Sequence, residues 1–130
     1  MLFRSLEVSA PPDLPIPSRA ANLTGLVLAN LVANAIEASP RGARVTVSAL
    51  PAGRAVVFRV SDQGGGLRPE VKAALFEPVT SLKPRGSGVG LAISRRLARH
   101  AAGDLLLERT GPDGTIFALS VPGWSAPKAA

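Results

Sequence analysis

The chain has 130 residues, 15 Lys plus Arg against 9 Asp plus Glu, a net charge of +6 and no cysteine. This length points to one domain that folds around its own core, and the lack of cysteine excludes disulfides and thiolate metal sites, with a reducing cytoplasm as the matching compartment. A single histidine excludes a His-rich metal site, and four phenylalanines, one tryptophan and no tyrosine make a poor base-stacking platform, so the scattered positive charge reads as a solvated surface suited to an anionic ligand or acidic partner rather than to nucleic acid.

In chain order, Phe3 to Ser9 alternates weakly and predicts an edge strand. No charged region followed by a long apolar stretch opens the chain, so no signal peptide is expected. Pro11, Pro12, Pro15 and Pro17 predict an extended loop. Ser18 is a candidate cap for a helix over about residues 20–38, ended by Ser39-Pro40-Arg41-Gly42. Residues 20–36 reach the short limit of a membrane span, about 17–25 residues, but Asn22, Asn30 and Asn34 interrupt them. A buried helix without membrane contact is expected. Leu28, Leu31, Val32, Ala35 and Ile36 should face a sheet.

Val45, Val47 and Ala49, the turn Pro51-Ala52-Gly53, and Val56, Phe58 and Val60 predict a hairpin of half-buried strands. Asp62-Gln63-Gly64-Gly65-Gly66 breaks that pattern. Pro69 to Leu75 suits a short helix with proline near its start. Residues 76–88 read as a Pro/Gly-punctuated loop, and 89–101 as a helix stopped near Gly103. Residues 105–110, the turn Gly111-Pro112-Asp113-Gly114 and residues 115–121 predict a second hairpin. Residues 1–124 are expected to form the domain and 125–130 a disordered tail. Hairpins mixed with helices favour an α+β fold, a two-layer sandwich of a mixed, mostly antiparallel sheet with about three helices on one face.

Three patterns carry chemistry. Lys83-Pro84-Arg85-Gly86-Ser87-Gly88-Val89-Gly90-Leu91 places glycines at alternate positions just before a helix. A helix start offers unpaired N–H groups and a positive dipole end, and glycine lets a bulky anion such as a phosphate chain approach. A flexible loop would use the same residues. Asn30 and Asn34 stand one turn apart on a helix face, with Glu37 on the same side. Such groups are costly if dry, so they either find partners or line a site. Asparagine oxygens suit a hard cation such as Mg²⁺, which binds few protein ligands and keeps waters and phosphates. Asp62, at the end of an apolar strand and beside glycines, can accept hydrogen bonds from an amine, or it can be a turn aspartate.

In this order the motifs become specific. Residues 30–38, Asn30-Leu31-Val32-Ala33-Asn34-Ala35-Ile36-Glu37-Ala38, resemble the N box of bacterial sensor histidine kinases. Asp62-Gln63-Gly64-Gly65-Gly66 resembles their first glycine box, Leu75-Phe76-Glu77-Pro78 the F box, and Gly86-Ser87-Gly88-Val89-Gly90-Leu91 the second glycine box. Gly114-Thr115-Ile116-Phe117 resembles the closing strand. The resemblance covers nearly the whole chain. It implies a Bergerat-type ATP site of the GHKL superfamily, with a mobile lid between the F box and the second glycine box.

Carried over, Asn34 would be the Mg²⁺ ligand and Asn30 its neighbour in the phosphate shell. Asp62 would read the adenine amino group in a pocket shaped by Gly64 and Gly66. Lys83 would meet the terminal phosphate, or stay solvated while the lid is open. The implied catalytic residues are Asn30, Asn34 and Lys83. The implied nucleotide shell is Asn34, Glu37, Asp62, Gly64, Gly66, Leu67, Phe76, Gly86, Ser87, Gly88, Val89, Gly90, Leu91 and Thr115. The implied partners are a histidine-bearing dimerisation domain and a response regulator. The chain alone would be a monomer, cytoplasmic even where its parent is membrane-anchored.

Two departures bear on function. Val79 and Thr80 replace a pair of phenylalanines that many relatives carry after the F box. No dimerisation helix with a phosphoacceptor histidine is present, and His100 lies roughly 18 Å along the helix from Gly88. Two other readings stay open. One is a stand-alone serine kinase of the anti-sigma type or an ATP hydrolase, and the other a non-catalytic nucleotide-sensing module. The first usually carries a glutamate as general base four residues before the Mg²⁺ asparagine. Here that position is Asn30, which cannot take a proton. A neutral imidazole is already a nucleophile, so Asn30 favours transfer to histidine.

Overall fold

The computed structural model describes residues 5–9, 18–77 and 89–123, with the side chains of Ser5, Ser18, Arg19, Val89 and Gly90 left aside. Eight elements follow in order among them: β1 (Ser5–Ser9), α1 (Ser18–Ala38), β2 (Arg44–Ala52), β3 (Ala55–Ser61), α2 (Pro69–Ala73), α3 (Val89–His100), β4 (Asp104–Gly111) and β5 (Gly114–Pro122). The strands form one sheet in the order β1-β2-β3-β5-β4. β1 pairs parallel with β2 across the α1 crossover, and every other pair is antiparallel. The sandwich expected from the sequence is the fold observed.

Alternation builds the core. Val45, Val47 and Ala49 of β2, Val56, Phe58 and Val60 of β3, and Phe117, Leu119 and Val121 of β5 are buried on one sheet face. α1 lies against β2, β3 and β5, and α3 against β4 and β5, so both cover that face. α1 contributes Ala20, Thr24, Val27, Leu31 and Ala35 at helical spacing. The sheet-facing stripe is therefore not centred as the sequence suggested, since Leu28, Val32 and Ile36 are only half-buried. α1 packs against α3 as well as the sheet, and this rotates its apolar stripe toward the shared flank. Residues 20–38 are long and apolar enough to cross a membrane by length and composition. Val27, Leu31 and Ala35 spend that apolarity on the core.

α1 ends where the Ser39 N–H donates to the Ala35 and Ile36 carbonyls, at 3.1 and 3.3 Å. Ser18 is the first helical residue, and its expected capping side chain lies outside the described residues. The first hairpin turn differs from expectation. The ladder continues through Pro51↔Val56 and Ala52↔Ala55, which leaves Gly53-Arg54 as the turn, with Gly53 at φ 63°. β1 stops pairing at Ser48, so a residue without an N–H is tolerated at Pro51. The second turn, Pro112-Asp113 between Gly111 and Gly114, is as expected.

α3 closes with a Schellman pattern. The Gly103 N–H reaches the Ala98 carbonyl at 2.9 Å and the Ala102 N–H the Arg99 carbonyl at 3.0 Å. The left-handed residue is Ala102, at φ 63°. Gly103, the expected stop, is required for a different reason, because a Cβ there would run into the Ser120 carbonyl of β5. The expected tail at 125–130 lies outside the described residues.

Candidate functional site

β3 and β5 are neighbours in the sheet although α2, α3 and β4 lie between them in sequence. Their adjoining ends fix Asp62. Its N–H donates to the Thr115 carbonyl at 2.9 Å, while the Thr115 and Gly64 N–H groups donate to its Oδ1 at 3.1 and 2.9 Å. A carboxylate only 8% exposed requires such partners. Oδ2 accepts no hydrogen bond among the described residues and is left for another donor.

The loop after Asp62 is pressed against its surroundings. A Cβ on Gly64 would stand 2.7 Å from the Ala38 carbonyl at the end of α1. Gly66, at φ 88°, would bring one to 2.5 Å from the Gly111 carbonyl. The Gln63 N–H donates to Ser39 Oγ, at 3.4 Å, and Gln63 Oε1 accepts the Arg44 N–H at 2.6 Å. The Leu67 N–H donates to Thr110 Oγ1 at 2.8 Å, and that hydroxyl lies 2.9 Å from Thr115 Oγ1. The loop is thereby tied to α1, β2, β4 and β5 at once.

Above Asp62 opens a cavity of about 300 Å³, lined by α1, the ends of β3 and β5, the segment 65–75 and the start of α3. Of the residues expected at the site, Asn34, Asp62, Gly66, Leu67, Leu91 and Thr115 line it. Gly64 acts from behind, through its N–H on Asp62. Asn30, Glu37 and Phe76 are not among the lining residues. Val89 and Gly90 form the first turn of α3, and Lys83, Gly86, Ser87 and Gly88 lie outside the described residues.

Sequence reasoning missed most of the apolar wall, which comprises Leu31, Ala35 and Ala38 of α1, Val60, Gly65, Val71, Leu75 and Phe117. The only signal for these was their place beside a motif residue or one strand-repeat from Asp62, and the same positions read equally well as ordinary core. Among the described lining residues Asp62 is the sole charged group. The cavity thus suits a small, mostly apolar body with a hydrogen-bond donor at one edge.

Asn34 stands at the helix-α1 side of this cavity, and its Nδ2 is a buried donor with no partner among the described residues. One turn earlier, Asn30 Nδ2 donates to Ser94 Oγ of α3 at 2.7 Å. Phe76 instead packs under Arg95, whose guanidinium carbon lies 4.6 Å from the ring centroid. Arg95 and Arg99 both donate through Nε to Asp104 Oδ1, at 3.1 and 3.3 Å, and the Leu105 N–H reaches the same oxygen at 2.8 Å. Burial pushes the Asp104 pKa up, but the Arg95 and Leu105 hydrogen bonds and both arginine charges outweigh it and hold the carboxyl below 3.8.

An adenine nucleotide with Mg²⁺ fits what is present. The cavity volume is at the lower end of small-molecule sites, about 300–1,000 Å³. Asp62 Oδ2 is an acceptor at its base, and Asn34 Nδ2, without a partner among the described residues, can donate to an acceptor such as a phosphate oxygen at its side. Among the described residues no three His, Asp or Glu side chains gather to hold a metal by themselves. A Mg²⁺ ion here would rest on Asn34, phosphate oxygens and water.

Comparison with known proteins agrees with this geometry. Residues 21–124 match the family described as histidine kinase-, DNA gyrase B-, and HSP90-like ATPase. The C4-dicarboxylate transport sensor protein DctS of Rhodobacter capsulatus is 39% identical over 100 residues, which are 74% of this chain and 15% of that protein. Sporulation kinase C of Bacillus subtilis is 33% identical over 96 residues, 74% of this chain and 22% of that one. The chain thus spans less than a quarter of either relative. The solved structure of the mycobacterial sensor histidine kinase MprB superposes with a TM-score of 0.75 at 29% identity, covering 92% of this chain and 82% of that one. A matched fold and a family pattern over most of the chain lead to one assignment: this chain is an ATP-binding domain of the histidine kinase-, DNA gyrase B- and HSP90-like ATPase family, closely related to bacterial sensor histidine kinases.

Proposed function

We propose that the chain is the catalytic module of a sensor histidine kinase, which binds ATP with Mg²⁺ in the cavity over Asp62 and presents the γ-phosphate to a histidine on a dimerisation domain, for onward transfer to a response regulator. The observation that carries this reading is the Asp62 carboxylate, fixed by two N–H donors on Oδ1 with Oδ2 facing no donor among the described residues, at the base of an apolar cavity. The adenine amino group supplies the missing donor. Leu31, Ala35, Val60, Leu67 and Phe117 enclose the ring and exclude water, which strengthens the single polar contact.

Asn34 would hold Mg²⁺ through its amide oxygen, and the ion would neutralise phosphate charge during transfer. The described lining offers no cation, so the phosphates leave the cavity toward the start of α3, where N–H groups and the helix dipole favour anions. Lys83, Gly86, Ser87 and Gly88 join them there in this reading. Asn30 has no proton-accepting group, which suits transfer to an imidazole better than activation of water. The module works in the cytoplasm as a monomer until its partner domain brings the histidine.

Titration calorimetry tests the reading. Asp62→Asn can turn an amide donor toward the adenine amine, and should lower ATP·Mg²⁺ affinity about ten- to a hundredfold through loss of a charge-assisted bond worth roughly 1.5–3 kcal/mol. Equal affinity in the two proteins would remove the adenine assignment.

A further inference from the structure

α1 and α3 both reach the phosphate end of the site, α1 with Asn34 and α3 with its first turn. No covalent connection fixes one against the other near that point. The two helices are 64 residues apart in sequence at the place where their side chains bond, Asn30 Nδ2 to Ser94 Oγ at 2.7 Å. Ser94 is 2% exposed, on the face of α3 that packs against α1. A hydroxyl that deep in an apolar helix contact is costly unless it is used. Asn30, four residues before Asn34, lies one turn away on the same helix face. Ser94 lies about one turn from the N-terminal end of α3.

We propose that Ser94 is a positioning residue for the phosphate end of the nucleotide site. By holding the Asn30 amide it fixes the axial register of α3 against α1, and so the distance between Asn34 and the N–H groups that open α3. The inference rests on the nucleotide reading above, and adds to it a residue that touches no part of the nucleotide. The bond also commits one amide hydrogen of Asn30 to α3, so Asn30 acts here as a strut. The adenine end is built separately, from Asp62, Thr115 and the glycine loop on the sheet. Loss of the strut should therefore be felt by phosphates and not by the base.

The test compares ATP·Mg²⁺ and adenosine as ligands of the 130-residue chain, by calorimetry and by NMR titration, in the natural sequence, Ser94→Ala, Asn30→Ala and the double variant. Ser94→Ala removes one oxygen and leaves Asn30 half-exposed, where water can replace the lost partner. The expected result is a rise of about three- to tenfold in the ATP·Mg²⁺ dissociation constant with that for adenosine unchanged, and a double variant no worse than the weaker single one. Equal loss for both ligands, unchanged ATP affinity, or additive effects of the two substitutions would overturn the role of Ser94. A natural chain that bound neither ligand would instead sink the nucleotide reading, and this inference with it.

Discussion

Ala102 holds a backbone conformation that an L side chain adopts at a cost. At φ 63° it is the left-handed residue that closes α3, the position where glycine is strongly preferred. The glycine comes one residue later, because only Gly103 can lie against the Ser120 carbonyl. Ala102 is exposed, so nothing but the backbone is at stake. Ala102→Gly should raise stability by about 1 kcal/mol, the relief of the left-handed strain less the added freedom of the unfolded chain. A urea midpoint that fell would show that the strain is already relieved. Asp62 illustrates the opposite case: its side chain is committed on Oδ1 and open on Oδ2, so Asp62→Asn, which keeps an oxygen for the Gly64 and Thr115 N–H groups, is expected to cost binding more than folding.

At the scale of elements, Asp104 joins α3 to β4. Arg95 and Arg99 arrive one turn apart from the helix, and the Leu105 N–H from the strand. Its pKa is lowered in the folded chain relative to 3.8, so folding favours the charged form. The stabilisation is then present above pH 3.8 and is lost as pH falls through the folded value. Asp104→Asn should be less stable than the natural chain at pH 7, and the gap should close below pH 3.8. Urea unfolding at about pH 7 and about pH 3 checks this, and a gap constant across both would exclude the carboxylate charge as the cause. Much at this scale was legible in the sequence. Alternation at Val45, Val47, Ala49 and at Val56, Phe58, Val60 announced β2 and β3, and the Pro112-Asp113 turn announced the second hairpin. The rotation of α1 was not, because Leu28 and Leu31 are equally apolar and only the presence of α3 decides which is buried deeper. Pro51 suggested a turn, since nothing local tells that β1 stops short of it.

The site shows the same division across the whole molecule. Two of its polar points, Asn34 and Asp62, were legible because polar residues in apolar runs are costly and must have a use, whereas Thr115 entered only through the resemblance of residues 114–117 to the family's closing strand. Its walls were not, because Val60, Val71, Leu75 and Phe117 become a cavity only when elements distant in sequence leave a gap between them. The same long-range closure has a kinetic consequence. The β2–β3 and β4–β5 hairpins turn within two residues, whereas β3 and β5 meet only after a separation of 53 residues at Asp62 and Thr115. Local hairpins close on the microsecond scale, while the long loop must first lose the entropy of its ends. Within the sheet Val121 belongs to the long-range ladder and not to the β4–β5 one, since it pairs with Val56 and the pairing with β4 ends at Ser120, and its side chain also packs in the core under the helices. Val121→Ala, at a side chain 1% exposed, should cost about 2 kcal/mol and act mainly by speeding unfolding, with a φ-value below about 0.3 in a chevron analysis. A value near 1 would place this seam and the core packing over it in the folding nucleus. On the expected order, both hairpins exist before the floor of the cavity does. A ligand that grips that floor would then slow unfolding and leave refolding untouched.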